Sequence, residues 1–235
     1  MSLTDKRVVV TGATGALGGA VVMALLERGA ICHLPMVEPA VPDGRPWTGH
    51  PRVIATPNVA LDDETSVTVY YGALPALWGS VHLVGGFTAG PIADAAVADL
   101  HKMWSLNTAT CFLGCREAVR AIRRTSGSSG DGGRIVNVAA RPALAPTGGM
   151  VAYAASKAAV VSITQCLAAE LVGESIAVNA IAPSIIDTPA NRAAMPTADH
   201  ARWPTPEQLA ETIAFLVSPA NALTSGAVVP VYGRA

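Results

Sequence analysis

Short runs of consecutive apolar residues alternate along this chain with longer segments in which apolar positions recur every three or four residues. That is the pattern of buried parallel strands joined by covering helices. Residues 7–10 read as a first strand and 16–28 as the helix after it, with Gly29 at the C-terminal cap. A second strand is expected at 30–34. Six prolines between Pro35 and Pro57 exclude a regular helix there, so this crossover is expected to be looped or extended, with a short third strand at 53–55. Further on, the pattern predicts a helix at 62–71, a buried strand at 81–84 ending on Gly85-Gly86, and one or two long helices over 94–124. A surface loop is expected at 125–133, a strand at 134–139, a helix at 151–172 and a strand at 176–182. The proline-rich stretch 188–205 reads as irregular and suited to a lid, followed by a helix at 206–216 and a last strand at 227–231. The sum is an α/β fold: one doubly wound parallel sheet of about seven strands with helices on both faces, in a single domain over 1–235.

Composition narrows the partners. The formal net charge is −1 and only 14% of residues are charged, so no basic face is available for nucleic acid or an anionic membrane. The N-terminal apolar run is too short for a signal peptide, and no uninterrupted apolar stretch approaches the ~18 residues of a spanning helix. A cytoplasmic protein is therefore expected. Cys32, Cys111, Cys115 and Cys166 all sit in apolar periodic segments and read as buried free thiols. Cys111 and Cys115 share a helical face, but no histidine or second cysteine pair lies nearby in sequence, so no metal site is expected.

Two stretches carry chemistry. Tyr153 and Lys157 are four apart in a helical segment, which sets them on one face with Cβ atoms roughly 5–6 Å apart. A neighbouring ammonium stabilises a phenolate, so this spacing predicts a lowered tyrosine pKa and a general acid/base. Near the N-terminus, the first strand runs into Thr11-Gly12-Ala13-Thr14-Gly15-Ala16-Leu17-Gly18-Gly19 and then a helix. Glycines there let backbone approach a pyrophosphate, and the helix start offers N–H donors and the positive end of its dipole.

Together with Gly85-Gly86, Asn107 and Asn179-Ala180-Ile181-Ala182-Pro183, these stretches resemble the short-chain dehydrogenase/reductase family over nearly the whole chain. The resemblance implies a Rossmann-type domain with NAD or NADP across the carboxyl ends of the strands. Gly12, Thr14, Gly15, Ala16, Leu17, Gly18, Gly85 and Gly86 would contact the cofactor. Tyr153 would be the acid/base, Lys157 would lower its pKa and hold the nicotinamide ribose, and Asn107 would anchor a water in the proton relay. Pro183, Ile186 and Thr188 would line the nicotinamide pocket. A homo-oligomer, dimer or tetramer, is implied as well, through pairing of the helices at 99–124 and 151–172.

The chain departs from the family pattern. Ala140 stands thirteen residues before Tyr153, where the family has a serine that bonds the substrate oxygen. One such donor contributes ~2.7–4 kcal/mol to a transition state. This departure, with Gly85-Gly86 and the stretch from Asp187 to Trp203, resembles the dihydropteridine reductase-like branch. The expected activity is hydride transfer between nicotinamide and a carbonyl, alcohol or conjugated small molecule, with a quinonoid dihydropteridine reductase-like enzyme as the alternative. A dinucleotide-binding sensor or scaffold with weak catalysis is a further alternative. Glu38 and Arg45, both beyond the second strand, leave the choice between NAD and NADP open. Phe87 and Trp203 are candidates to line a flat substrate site. His33 and His82 fall inside strands and read as core histidines.

Overall fold

The computed structural model describes residues 1–125 and 132–234. Most of the expected 125–133 loop lies outside these residues. Seven strands form one parallel sheet in the order β3-β2-β1-β4-β5-β6-β7. They are β1 (Arg7–Thr11), β2 (Ile31–Pro35), β3 (Val53–Thr56), β4 (Gly79–His82), β5 (Gly133–Val138), β6 (Ile176–Pro183) and β7 (Val228–Val231). The order reverses direction between β1 and β4, and a ligand crevice in an open sheet of this kind lies at the carboxyl ends beside such a reversal.

Side chains on β1 show how the core is divided. Val8 and Val10 face one layer, with helix α1 (Ala16–Glu27) and helix α8 (Pro206–Val217), whereas Val9 faces the other. That second layer holds α2 (Glu64–Gly72), α4 (Thr110–Thr125) and α6 (Val151–Glu170), packed through Val67, Tyr71, Val119 and Val160. Helix α3 (Val97–Met103) runs through a π-helical segment, Trp104–Ala109, into α4. Two short helices, α5 (Arg141–Leu144) and α7 (Pro189–Ala194), follow β5 and β6. Among the described residues, α6 alone is long and apolar enough to cross a membrane; it packs here against β5 and β6.

Several expectations need correction. Strand β4 ends at His82, two residues early, because the Leu83 N–H donates to the Thr11 hydroxyl (3.1 Å) instead of continuing the ladder. The stretch 188–205 is not wholly irregular. Thr188 caps α7 by accepting from the Asn191 N–H, and Pro189 at the first helical position has the right fixed φ. Helix α5 was not expected. Cys166 is exposed, because α6 buries one stripe through Ser156, Lys157, Val160, Thr164 and Ala168 and turns Cys166 away from it.

Helix α8 begins with a capping box: the Gln208 N–H donates to Thr205 Oγ1, and Gln208 Oε1 accepts from the Thr205 N–H. Thr205→Ala should cost about 1 kcal/mol, read as a Tm lowered by roughly 2–4 °C in thermal denaturation. An unchanged Tm would show the cap to be dispensable.

Candidate active site

The crevice floor is the glycine turn after β1. Gly12 has φ +69°, which favours glycine, and a Cβ there would come within 3.1 Å of the backbone leaving β4. A Cβ on Gly18 would fall 2.1 Å from the Gly12 carbonyl oxygen, so α1 can start this close to the turn only with glycine. Gly15 caps α1 without a side-chain bond, so no capping side chain takes the first-turn N–H groups of the helix. Turn and helix start fit the phosphates of a dinucleotide.

The crossover after β2 folds back over this turn. Glu38 accepts from the Thr14 hydroxyl (2.9 Å), Trp47 Nε1 donates to the Ala13 carbonyl (3.3 Å), and an Arg45 N–H bonds the Thr14 carbonyl. Arg45 Nε is buried without a partner. Trp47, 1% exposed, gave no sign in sequence of its place beside the turn.

Across the crevice, the chain leaving β4 meets α6. Asn107, in the π-helical segment, accepts from the Gly86 N–H (2.9 Å) and donates to the Gly86 carbonyl (3.1 Å) and the Ser156 hydroxyl (3.0 Å). Ser156 Oγ donates to the Tyr153 carbonyl (2.8 Å). A Cβ on Gly85 would lie 2.7 Å from Asn107 Oδ1 and 3.1 Å from Lys157 Nζ, which explains the glycine there. Ser156 joins Asn107 to α6, a part that sequence reasoning missed although it lies between Tyr153 and Lys157.

Lys157 is buried, and Nζ donates to the carbonyl of Val138, the last residue of β5 (2.9 Å). Burial lowers its pKa to about 8, with Cys111 opposing that shift. Tyr153 is half-buried, and burial pushes its phenol up to about 12. This runs opposite to the direction that the four-residue spacing predicts, since Nζ is turned onto Val138 and desolvation governs the phenol. Phe87 packs edge-on against the Tyr153 ring with centroids 5.0 Å apart. Trp203 is buried, and its ring contact is with His200, not Tyr153.

Pro183 closes β6, the Ile186 carbonyl accepts from Asn191 Nδ2, and Thr188 caps α7. Pro183 is thus the carboxyl end of β6, and Ile186 and Thr188 follow it. Ala140, 5% exposed and extended, precedes α5 at the end of β5 and offers no hydroxyl. A cavity of about 370 Å³ reaches Thr88 and Ala152, the sequence neighbours of Phe87 and Tyr153, and is lined mainly by apolar residues including Ile92, Leu100, Met150 and Val151. Such a volume suits a small organic molecule.

These elements define a dinucleotide-dependent α/β oxidoreductase, and the chain belongs to the short-chain dehydrogenase family, whose model matches residues 6–199. It is 29% identical to an uncharacterised oxidoreductase of Mycobacterium tuberculosis, covering 99% of this chain and 92% of that protein. An NAD-dependent glycerol dehydrogenase of Listeria innocua is 28% identical, with 96% and 91% covered. The solved structure of a short-chain type dehydrogenase/reductase from Mycobacterium ulcerans superimposes with a TM-score of 0.90 at 25% identity, covering 100% of this chain and 90% of that one.

With Lys157 held at about 8 against an ordinary 10.5, the unfolded chain keeps a proton between those pH values that the folded chain has released. Stability contributed at this site therefore rises with pH across that window. Measured as Tm against pH, wild type should gain on Lys157→Met from pH 8 to 10. A constant difference would mean that the ammonium keeps its ordinary pKa in the fold.

Proposed function

We propose that this protein is an NAD(P)(H)-dependent reductase or dehydrogenase in which Tyr153 exchanges the proton with a small carbonyl, alcohol or conjugated substrate. One observation carries this: Lys157 bonds the carboxyl end of β5 and stands beside Gly85, so the helix bearing Tyr153 is fixed against the crevice at the sheet's reversal point. A bound reduced nicotinamide supplies the hydride. Gly12, Thr14, Gly15, Ala16, Leu17 and Gly18 cradle the phosphates, and Gly85, Gly86, Pro183, Ile186 and Thr188 border the nicotinamide half. Lys157 holds the ribose, and Asn107 sets the distance between Gly86 and α6, beside the proton relay.

Tyr153 with a phenol near 12 is protonated at neutral pH, which suits it to donate to a substrate oxygen or ring nitrogen as hydride arrives. Reduction is the direction this favours. Phe87 and the apolar cavity favour a substrate with a hydrophobic body. A second reading, reduction of a quinonoid dihydropterin or similar conjugated ring, is favoured by Ala140: with no second hydroxyl, a substrate that needs one proton donor is accommodated best. Trp203 is not proposed as a substrate contact.

Trp104 and Phe112 are about half exposed and line an apolar groove with Ala159 and Ile163 on α6. That face supports pairing of two copies through α4 and α6. A cytoplasmic setting is proposed from the four unpaired cysteines.

Purified protein should oxidise NADH or NADPH with a member of a carbonyl and quinonoid panel. Tyr153→Phe should lower turnover by roughly 10²–10⁴-fold while nucleotide affinity stays nearly unchanged. Normal turnover in that variant would overturn the role of the phenol. Ala140→Ser should raise the rate on carbonyl substrates, and an unchanged rate would mean that another group already bonds the oxygen.

A further inference from the structure

The layer beneath α4 holds a cluster that the oxidoreductase chemistry does not use. Cys111 and Cys115 stand one turn apart on the buried face of α4, and the fold sets His82 of β4 and Asn137 of β5 against them. All four side chains are 5% exposed or less. Cys115 Sγ lies 3.6 Å from His82 Nδ1 and 3.4 Å from Asn137 Oδ1, and those two atoms are 2.8 Å apart. The donor atoms of His82, Cys111 and Cys115 all lie within 4.8 Å of one another.

A tetrahedral zinc ion, with Zn–S ~2.3 Å and Zn–N or Zn–O ~2.0–2.1 Å, separates sulfur from nitrogen or oxygen by about 3.5 Å and nitrogen from oxygen by about 3.3 Å. Two edges of that polyhedron are already set, and the His82–Asn137 edge needs to open by roughly 0.5 Å. We propose that Cys111, Cys115, His82 Nδ1 and Asn137 Oδ1 form a closed four-coordinate site for a thiophilic divalent cation, zinc by its donor set, that fastens α4 to β4 and β5.

The hydrogen bonds around the cluster support the ligand orientation. Asn137 Nδ2 donates to Thr164 Oγ1 (3.0 Å), and that hydroxyl donates to the Val160 carbonyl, so the amide oxygen is the atom facing His82. Without metal, His82 therefore carries its proton on Nδ1, and Nε2 accepts from Ser80, whose oxygen lies 2.9 Å from the Tyr71 hydroxyl. On binding, the imidazole proton moves to Nε2 and is donated to Ser80 Oγ, which is the outer support that ligating histidines require. The two thiols bind the cation as thiolates and release up to two protons to solvent. A dication with two thiolates is neutral, so no net charge is buried. Gly114 admits the imidazole, since a Cβ there would come 2.9 Å from Nε2.

This site does not depend on the proposed catalysis, and its test reads no turnover. The metal-stripped full chain is titrated with Zn²⁺ against a chromophoric chelator. One Zn²⁺ per chain should bind. Cys111→Ser and Cys115→Ser should each weaken it by at least roughly tenfold, and Cys166→Ser, at the exposed thiol, should leave it unchanged. Zn²⁺ held undiminished by the Cys111 and Cys115 variants, lost with Cys166→Ser, or not bound at all would overturn the proposal. If the variants fail to fold, wild type decides. Zn²⁺ should slow iodoacetamide labelling of Cys111 and Cys115 but not of Cys166, and unaltered rates at Cys111 and Cys115 would overturn it.

Discussion

The Asn107 carboxamide bonds Gly86 on one side and the Ser156 hydroxyl on the other, and this bridge sets the spacing between the chain leaving β4 and helix α6. The crevice depends on that spacing. Were the two elements free to drift, Lys157 Nζ would lose its place between Gly85 and the Val138 carbonyl, and Tyr153 would no longer be held beside Phe87. A buried carboxamide with its oxygen and both amide hydrogens engaged is costly to disrupt, because the Ser156 hydroxyl is buried and the Gly86 backbone partly so. The π-helical segment is part of the same construction, since an extra residue in the turn re-aims one side chain without ending the helix.

The crevice combines two opposed electrostatic demands. Lys157 is buried in an apolar wall that lowers its pKa, and one carbonyl bond from β5 offsets part of that desolvation. Tyr153, in the same wall, keeps its proton more firmly than in water. The pair in this structure is therefore a neutral acid beside a cation that is near its own titration point. That is a donor's arrangement, and it matches a site whose second hydroxyl has been replaced by Ala140.

Much of this fold was legible in sequence because period carries it: apolar runs for strands, three-and-four spacing for helices, and a glycine turn between the first of each. Tyr153, Lys157 and the glycine turn were legible for the same reason, as spacings within one element. What was missed depends on contacts between elements. The end of β4 is decided by the Thr11 hydroxyl, and α7 by one threonine cap followed by a proline that composition alone marks as a breaker. Trp47 reaches Ala13 only because the proline-rich crossover folds back, and Ser156 acquires its function from Asn107, 49 residues away. The lowered phenol pKa expected from a four-residue spacing did not follow, since spacing says nothing of which acceptor captures the ammonium. His82 meets Cys115 across 33 residues and two secondary-structure elements, so a thiol pair that looks solitary in sequence acquires an imidazole and an amide oxygen in the fold.

The most direct measurement of the central claim is a crystal structure of the protein with NADH or NADPH. The account predicts the pyrophosphate against the Gly12–Gly18 turn, a nicotinamide ribose hydroxyl within hydrogen-bond distance of Lys157 Nζ, and the Tyr153 hydroxyl facing the C4 side of the nicotinamide ring. A nucleotide seated elsewhere, or a Tyr153 hydroxyl turned away from that ring, would contradict it.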